Sequence, residues 1–305
     1  MVNNNRQKQI RSRRKKMEKM EEIGFGNAGG NWVKTRSSYR GDGVTAELDT
    51  EEKPLLFKFP QCHNTYANTS VVRFENVQVG YGDVTLLENL NVSVTARSRI
   101  GILGKNGAGK TSLVKCMMGQ LEPQCGRVCR MSSLKVGVFS QDMVPDLPLD
   151  KTPVELVMLR SNKCKQEQAF ENYANVDTVD KARSILGRFG LHGDLGLQSV
   201  NTLSGGQKSR VVFAMESIAR PDLYIMDEPT NQLDVESIEV LVTAIKEFNG
   251  AVIIISHDKY LLESSVSDIW LIDPKKMKLS VHTRLDTETK EEFFQPAYSK
   301  FLNTF

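Results

Sequence analysis

Residues 99–111 read RIGILGKNGAGKT, and this stretch decides the fold. Its first five residues form a short apolar run that indicates a β-strand, and helix-forming residues follow the glycines. The part Gly104–Thr111 matches G-x-x-x-x-G-K-[ST], the pattern of a phosphate-binding loop. Glycines in such a loop let backbone N–H groups turn inward around phosphate oxygens, at the positive end of the next helix. A nucleotide-binding α/β fold is therefore predicted.

Two side chains of the loop and two acids further along suit a nucleotide with Mg²⁺. Lys110 would reach the β- and γ-phosphates, and the Thr111 hydroxyl suits Mg²⁺. The stretch PDLYIMDEPTNQLD at Pro221–Asp234 supplies a second apolar strand that ends at Asp227, which would hold Mg²⁺ directly or through water. Glu228 is suited to accept a proton from an attacking water. The alternative, two solvated acids at a strand end, stays open on the pair alone.

Five further short motifs occur in a fixed order along the chain. They are Tyr81 in VGYGD, Gln141 in VFSQD, LSGGQ at Leu203–Gln207, LD at Leu233–Asp234 and His257 in IISHD. Each motif alone is weak, whereas their order is specific. Together they resemble the ATP-binding cassette (ABC) ATPases over roughly Val71–Leu285.

This resemblance implies a role for each matched residue. Tyr81 would stack on adenine, Gln141 would contact Mg²⁺ and the attacking water, and His257 would bind the γ-phosphate. Glu228 would be the general base as water attacks in line, giving ADP and phosphate. The implied catalytic residues are Lys110, Gln141, Glu228 and His257; the metal ligands are Thr111, Gln141 and Asp227; and the ATP-contacting residues are Tyr81, Gly104, Lys105, Asn106, Gly107, Ala108, Gly109, Lys110, Thr111, Ser112, Ser204, Gly205, Gly206 and Gln207.

The stretch LSGGQ implies a partner. In the resembled family this signature covers the γ-phosphate of a facing cassette and does not contact the ATP of its own phosphate loop. Ser204, Gly205 and Gly206 would present a hydroxyl, backbone N–H groups and a helix N-terminus to that anion. The second cassette would be another copy of this chain or a separate protein.

The longer stretch LSGGQKSR at Leu203–Arg210 is similar to the ABC-F branch, whose members lack membrane domains. Gln232 stands in EPTNQLD where the branch more often has histidine, and glutamine does not titrate near neutral pH. A role specific to histidine is therefore in doubt there. The ATPase subunit of a membrane transporter is the alternative function. A degenerate binding module is less favoured because every expected catalytic position is occupied.

The predicted fold class is an α/β P-loop NTPase of the ABC ATPase type. It has a mixed sheet core, an antiparallel β-subdomain and a helical subdomain, and a basic helix precedes it. We expect a basic helix at 1–23, a flexible linker at 24–69, the cassette at 70–285 and a C-terminal tail at 286–305. The basic helix resembles the end of the linker that precedes the C-terminal cassette in ABC-F proteins of eukaryotic type.

The positive charge of the chain is concentrated at one end. Its net charge is +3, but residues 1–22 hold eight Lys or Arg against three Glu, which gives +5. Such a helix would neutralise several phosphates without reading sequence. The ABC-F resemblance implies the ribosome as partner, through rRNA or tRNA. A solvated helix or a nuclear-localisation-like run is the alternative.

Composition bounds the remaining possibilities. The chain of 305 residues is 40% hydrophobic and 25% charged, and its apolar runs fall far short of the roughly 20 residues of a membrane helix. We expect a cytoplasmic protein with no transmembrane segment of its own. Five cysteines without a CxxC pair indicate reduced thiols rather than a zinc site or disulfides.

Overall fold

The computed structural model describes residues 25–28, 31–34, 55–62, 69–166, 173–285 and 288–302. The chain divides into two compact units, Met1–Lys53 and Pro54–Phe305. In the first unit, the described residues form an antiparallel hairpin of β1, Phe25–Ala28, and β2, Asn31–Lys34. The predicted basic helix at 1–23 lies outside the described residues, so it stays a prediction.

A six-stranded sheet forms the centre of the second unit. Its order is β12-β11-β6-β10-β9-β8, and all neighbours run parallel except β11 and β12. Continuous apolar runs predicted its inner strands, and every residue of Ala251–Ile255 is buried, as in parallel sheets covered on both faces. The bounds are β6, Arg99–Leu103; β8, Val136–Phe139; β9, Leu223–Asp227; β10, Ala251–Ile255; β11, Asp268–Asp273; and β12, Lys278–Thr283.

A second, antiparallel sheet forms the β-subdomain. The long strand β3, Ser70–Tyr81, pairs with β4, Val84–Leu90, with β5, Ser93–Thr95, and with β7, Cys125–Arg130. Its apolar side chains join a core that includes Ile100 and Ile102 of the central sheet. The predicted combination of a mixed central sheet with an antiparallel subdomain is confirmed.

Seven helices are described. They are α1, Lys110–Met118; α2, Pro153–Gln166; α3, Val179–Gly187; α4, Gly205–Ser217; α5, Val235–Glu247; α6, Lys259–Ser265; and α7, Lys290–Leu302. Helix α2 begins with a reciprocal cap: the Thr152 N–H donates to Glu155 Oε2 at 2.7 Å, and the Glu155 N–H donates to Thr152 Oγ1 at 3.2 Å. Helices α2 and α3 contact each other and α4, and make up the helical subdomain. None of these described helices combines the length and apolar character required to span a membrane.

Residues 55–62 differ from the flexible linker expected over 24–69. Phe57 and Phe59 are 4% and 3% exposed, and their rings contact Phe189, Phe213, Tyr224 and Phe248. The Cys62 N–H donates to Asn249 Oδ1 at 2.7 Å, and Asn249 Nδ2 donates back to the Cys62 carbonyl at 3.1 Å. The second compact unit accordingly begins at Pro54 rather than at the predicted boundary, Ser70.

The predicted C-terminal tail at 286–305 contains a helix. Four of its side chains, those of Phe293, Phe294, Ala297 and Phe301, are at most 7% exposed. They recur at helical spacing, which places an apolar face of α7 against α6 and β11. The tail therefore contributes to the core over its described part.

Replacing Phe59 by Ala tests whether residues 55–62 belong to the folded core. Loss of a buried aromatic ring leaves a cavity, so we expect the free energy of unfolding to fall by about 3–5 kcal/mol. Leu56→Ala is the matched control in the same segment because Leu56 is 60% exposed, and its effect should stay within about 0.5 kcal/mol. Chemical denaturation of both variants makes the measurement. Equal unfolding midpoints would show that the segment is not packed.

Candidate nucleotide site

The register of three parallel strands brings the predicted site residues to one edge of the central sheet. Ile102 of β6 lies beside Ile255 of β10, and Ile255 lies beside Asp227 of β9. The phosphate loop follows β6, Glu228 follows β9, and His257 follows β10 by two residues. The carboxyl ends of parallel strands open onto the same crevice, which is where α/β folds bind ligands.

The phosphate loop has the backbone conformation that its glycines predict. Gly107 and Gly109 have φ angles of +79° and +98°, in the left-handed region where a side chain is strained. The Ala108 N–H donates to the Lys105 carbonyl at 3.1 Å, which closes the turn. Gly109 immediately precedes α1, so the loop ends at a helix N-terminus. This arrangement suits an anion because helix N-termini carry partial positive charge.

The side chain of Lys110 lies back across the phosphate loop. Its Nζ donates to the carbonyls of Gly104 at 2.6 Å and Lys105 at 3.0 Å. Burial lowers the pKa of Lys110, while the nearby carboxylates of Glu228 and Asp227 act in the opposite direction. The ammonium group is thus held inside the loop, where it can exchange carbonyl contacts for phosphate oxygens.

A pocket of about 420 Å³ joins the loop to the two acids. It is lined by Leu86, Asn106, Gly107, Gly109, Lys110, Thr111, Ser112, Asp227 and Glu228. Tyr81 lies beside it, since Ser112 Oγ is 3.4 Å from the Tyr81 hydroxyl, and the tyrosine is 49% exposed. Residues Leu203–Gln207 do not contribute to the described lining of this pocket.

The oxygen atoms of Thr111 and Asp227 fit Mg²⁺, which proteins usually hold through one or two carboxylates together with substrate phosphates. Burial raises the pKa of Asp227, Lys110 opposes the rise, and Asp142 adds to it. That effect of Asp142 places the turn Gln141–Met143 near the acid. Nothing is described of the Gln141 side chain, so its predicted contact with the metal stays a prediction.

Glu228 is fixed by its backbone and by a network around its carboxylate. Its φ angle of +48° is unusual for a non-glycine residue, and its N–H donates to the Ile255 carbonyl at 2.8 Å. Ser256 Oγ donates to Oε2 at 3.3 Å, and His257 Nε2 lies 3.5 Å from Oε1. Strained backbone of this kind clusters at active sites. The carboxylate is therefore directed into the pocket with a histidine beside it.

The pKa values of this pair are moved by burial. Burial raises the pKa of Glu228, and hydrogen bonds from the His257 backbone and the Ser256 side chain limit the rise. Burial lowers the pKa of His257, and the charge of Lys110 lowers it further. A raised glutamate pKa favours proton acceptance, and a lowered histidine pKa favours the neutral imidazole at neutral pH.

The signature forms the start of α4. The Gln207 N–H donates to Ser204 Oγ at 3.2 Å, and the Ser204 N–H donates to Gln207 Oε1 at 2.9 Å, which is a capping box. Gln232 lies against the first turn: a Cβ on Gly206 would be 3.3 Å from its carbonyl oxygen. The first turn of α4, which is partly exposed, is thus preformed, and Leu203–Gln207 lie outside the described lining of the pocket of their own chain.

The motifs did not predict the effects of two further residues. Ser256 donates a hydrogen bond to Glu228, and the negative charge of Asp142 raises the pKa of Asp227. Both residues lie inside the motifs IISHD and VFSQD, where the resemblance assigns roles only to the histidine and the glutamine. A hydroxyl between a buried strand and a predicted catalytic histidine was the available signal for Ser256. The effect of Asp142 depends on how the chain folds back between β8 and β9.

The fold and the pocket define a P-loop nucleotide-binding cassette. Residues 87–231 match the family described as ABC transporter. A solved structure of a dimeric ATP-binding cassette in a post-hydrolysis state, bound to ADP and phosphate, superposes with a TM-score of 0.58 at 20% identity. The match covers 70% of this chain and 98% of that one. At this identity the likeness supports the fold.

Sequence relatives identify the branch of this family to which the chain belongs. The ABC transporter ATP-binding protein ARB1 of Saccharomyces cerevisiae is 36% identical over 271 residues, covering 88% of this chain and 39% of the relative. The ATP-binding cassette sub-family F member 3 of Mus musculus is 33% identical over 272 residues, covering 89% and 33%. The chain belongs to the ABC-F family of ATP-binding cassette ATPases. It spans only 39% and 33% of the length of these two relatives.

Proposed function

We propose that the chain binds ATP with Mg²⁺ in the pocket beside the phosphate loop and hydrolyses it when a second cassette closes over that pocket. One observation carries this proposal. Lys110, Thr111, Asp227 and Glu228 share one pocket, while the signature at Leu203–Gln207 lies outside its described lining. Each chain thus supplies the greater part of one site and the covering element of another.

The proposed chemistry uses the geometry of the pocket. Lys110 holds the β- and γ-phosphates, and Thr111 and Asp227 hold Mg²⁺, which would neutralise phosphate charge when bound. Glu228 accepts the proton of the attacking water, with Ser256 keeping the carboxylate in place. His257, neutral at neutral pH, contacts the γ-phosphate. Catalysis then comes from positioning and charge neutralisation.

Three further contacts complete the proposed site. The half-exposed ring of Tyr81 offers adenine a stacking surface at the edge of the pocket. Gln141, in the turn that follows β8, would contact Mg²⁺ and the attacking water, as the ABC resemblance implies. Ser204, Gly205 and Gly206 cover the γ-phosphate of the facing cassette, with the dipole of α4 behind them.

The pairing of cassettes predicts an ATP-dependent dimer. Glu228→Gln should retain ATP binding but lose turnover, so Mg-ATP should move this variant from monomer to dimer on gel filtration. Adding Ser204→Asp should abolish the shift because aspartate preserves the helix cap but places a negative charge against the facing γ-phosphate. Binding of ATP itself should persist in the double variant, as measured by equilibrium dialysis.

Thr178→Asp, combined with Glu228→Gln, is the matched control for this experiment. Thr178 is also the N-cap of an exposed helix start, where its hydroxyl accepts from the Lys181 N–H at 3.3 Å. The same change of charge there should leave the dimer intact. A dimer that persists with Ser204→Asp, or hydrolysis at the wild-type rate by Glu228→Gln, would contradict the proposed site.

We further propose that the ribosome is the partner on which the cassette acts. The ABC-F resemblance and the positive charge of residues 1–22 support this. Lys and Arg side chains release counterions when they bind phosphates, and this release favours binding less as the salt concentration rises, so binding should weaken steeply with salt.

Cosedimentation with ribosomes at two salt concentrations tests this second proposal. Deleting residues 1–22 should reduce binding at low salt and flatten its salt dependence. The control is the Glu228→Gln variant, which keeps residues 1–22 and changes only the cassette. It separates the contribution of the cassette from that of residues 1–22. Unchanged binding after the deletion would reject a ribosome contact through this segment.

A further inference from the structure

The C-terminal helix reaches the proposed catalytic histidine. The rings of Phe301 in α7 and His257 are stacked, with centroids 5.5 Å apart and an interplanar angle of 24°. Phe301 is 3% exposed, whereas the His257 side chain is 42% exposed. One face of the imidazole is therefore covered by a buried aromatic ring, while its edge faces Glu228 with Nε2 3.5 Å from Oε1.

The covering ring is itself held firmly. Phe294 and Tyr298 stack within α7 at 5.2 Å, and Tyr298 contacts Phe301 at 5.9 Å. Phe294 is fully buried, which ties the helix to the core that also contains α6 and β11. A histidine that follows a strand by two residues has few local restraints on its side-chain torsions. A fixed aromatic partner supplies the missing restraint because aromatic pairs favour particular geometries.

We propose that Phe301 is a positioning residue: its ring holds the His257 imidazole with Nε2 directed towards Glu228 before ATP arrives. This inference rests on the catalytic role proposed for His257. Phe301 is not among the residues that line the pocket, and its stack on His257 links it to the proposed site. Helix α7 thereby becomes part of the catalytic apparatus, although it lies outside the matched family region, 87–231.

Phe301→Leu tests the proposal because leucine fills much of the space without offering a ring. We expect kcat for ATP hydrolysis to fall about two- to tenfold, in line with the loss of one aromatic pair, while KM for ATP stays within about twofold. Phe301→Tyr keeps the ring and should retain the wild-type kcat. Phe293→Leu is the matched control because Phe293 is a buried ring of the same helix. Among the described ring pairs, only Phe301 stacks on the imidazole of His257. The control should leave kcat unchanged.

Nuclear magnetic resonance gives a readout that does not depend on turnover. The ring current of Phe301 should move the imidazole C–H protons of His257 upfield from their unfolded positions in the wild-type protein. The chain has four histidines, and the signals of His257 are those missing from His257→Gln. Phe301→Leu should return them downfield, whereas Phe293→Leu should not. Wild-type signals without an upfield shift would overturn the proposal even if a variant failed to fold.

A double-mutant cycle separates positioning from packing. If Phe301 acts through the histidine, Phe301→Leu should have no further effect on kcat in a His257→Gln background. A loss that persists there, or an equal loss in Phe293→Leu, would overturn the proposal. Absence of hydrolysis in the wild-type chain would instead contradict the proposed function, and the resonance measurement would still decide whether the stack exists.

Discussion

The pairing of β6, β10 and β9 in one parallel register is the constraint on which the site depends. The side chains of β10 alternate between a core on each face of the sheet, with Ile254 in one and Ile253 and Ile255 in the other. In this register Ile255 lies beside both Ile102 of β6 and Asp227 of β9. With that register set, the phosphate loop, the two acids and the histidine leave the sheet at the same edge. The 420 Å³ pocket follows from this alignment, since its lining combines residues after β6 with residues after β9.

The signature at Leu203–Gln207 lies outside the described lining of this pocket, which supports the proposal that a second cassette completes the site. The signature begins α4, and in the sequence α2 and α3 lie between it and the phosphate loop. The side chains of Ser204 and Gln207 cap their own helix. The cap gives α4 a formed N-terminus before any partner arrives. Gln232 packs against that first turn, so the loop following Glu228 and the signature are in contact within one chain.

The sequence predicted those parts of the molecule where a motif and a buried strand coincide. The loop at Gly104–Thr111 and the strand ending at Asp227 are such cases. Residues 55–62 escaped prediction because they form neither a helix nor a strand, so no hydrophobic period marks them. Helix α7 escaped because Pro296 lies inside it and proline argues against a helix. Phe57 and Phe59 contact rings more than a hundred positions away, and Phe301 of α7 contacts His257 in another part of the fold; local patterns do not reveal such contacts.

The central claim is that two chains complete each other's sites, and a mixing experiment tests it directly. Lys110→Ala chains lack the phosphate contact, and Ser204→Asp chains lack a usable signature, so each variant alone should hydrolyse almost no ATP. A mixed dimer joins the intact loop of one chain to the intact signature of the other and restores one complete site. The account predicts that the mixture hydrolyses ATP well above the sum of the separate variants. A mixture no more active than that sum would contradict it.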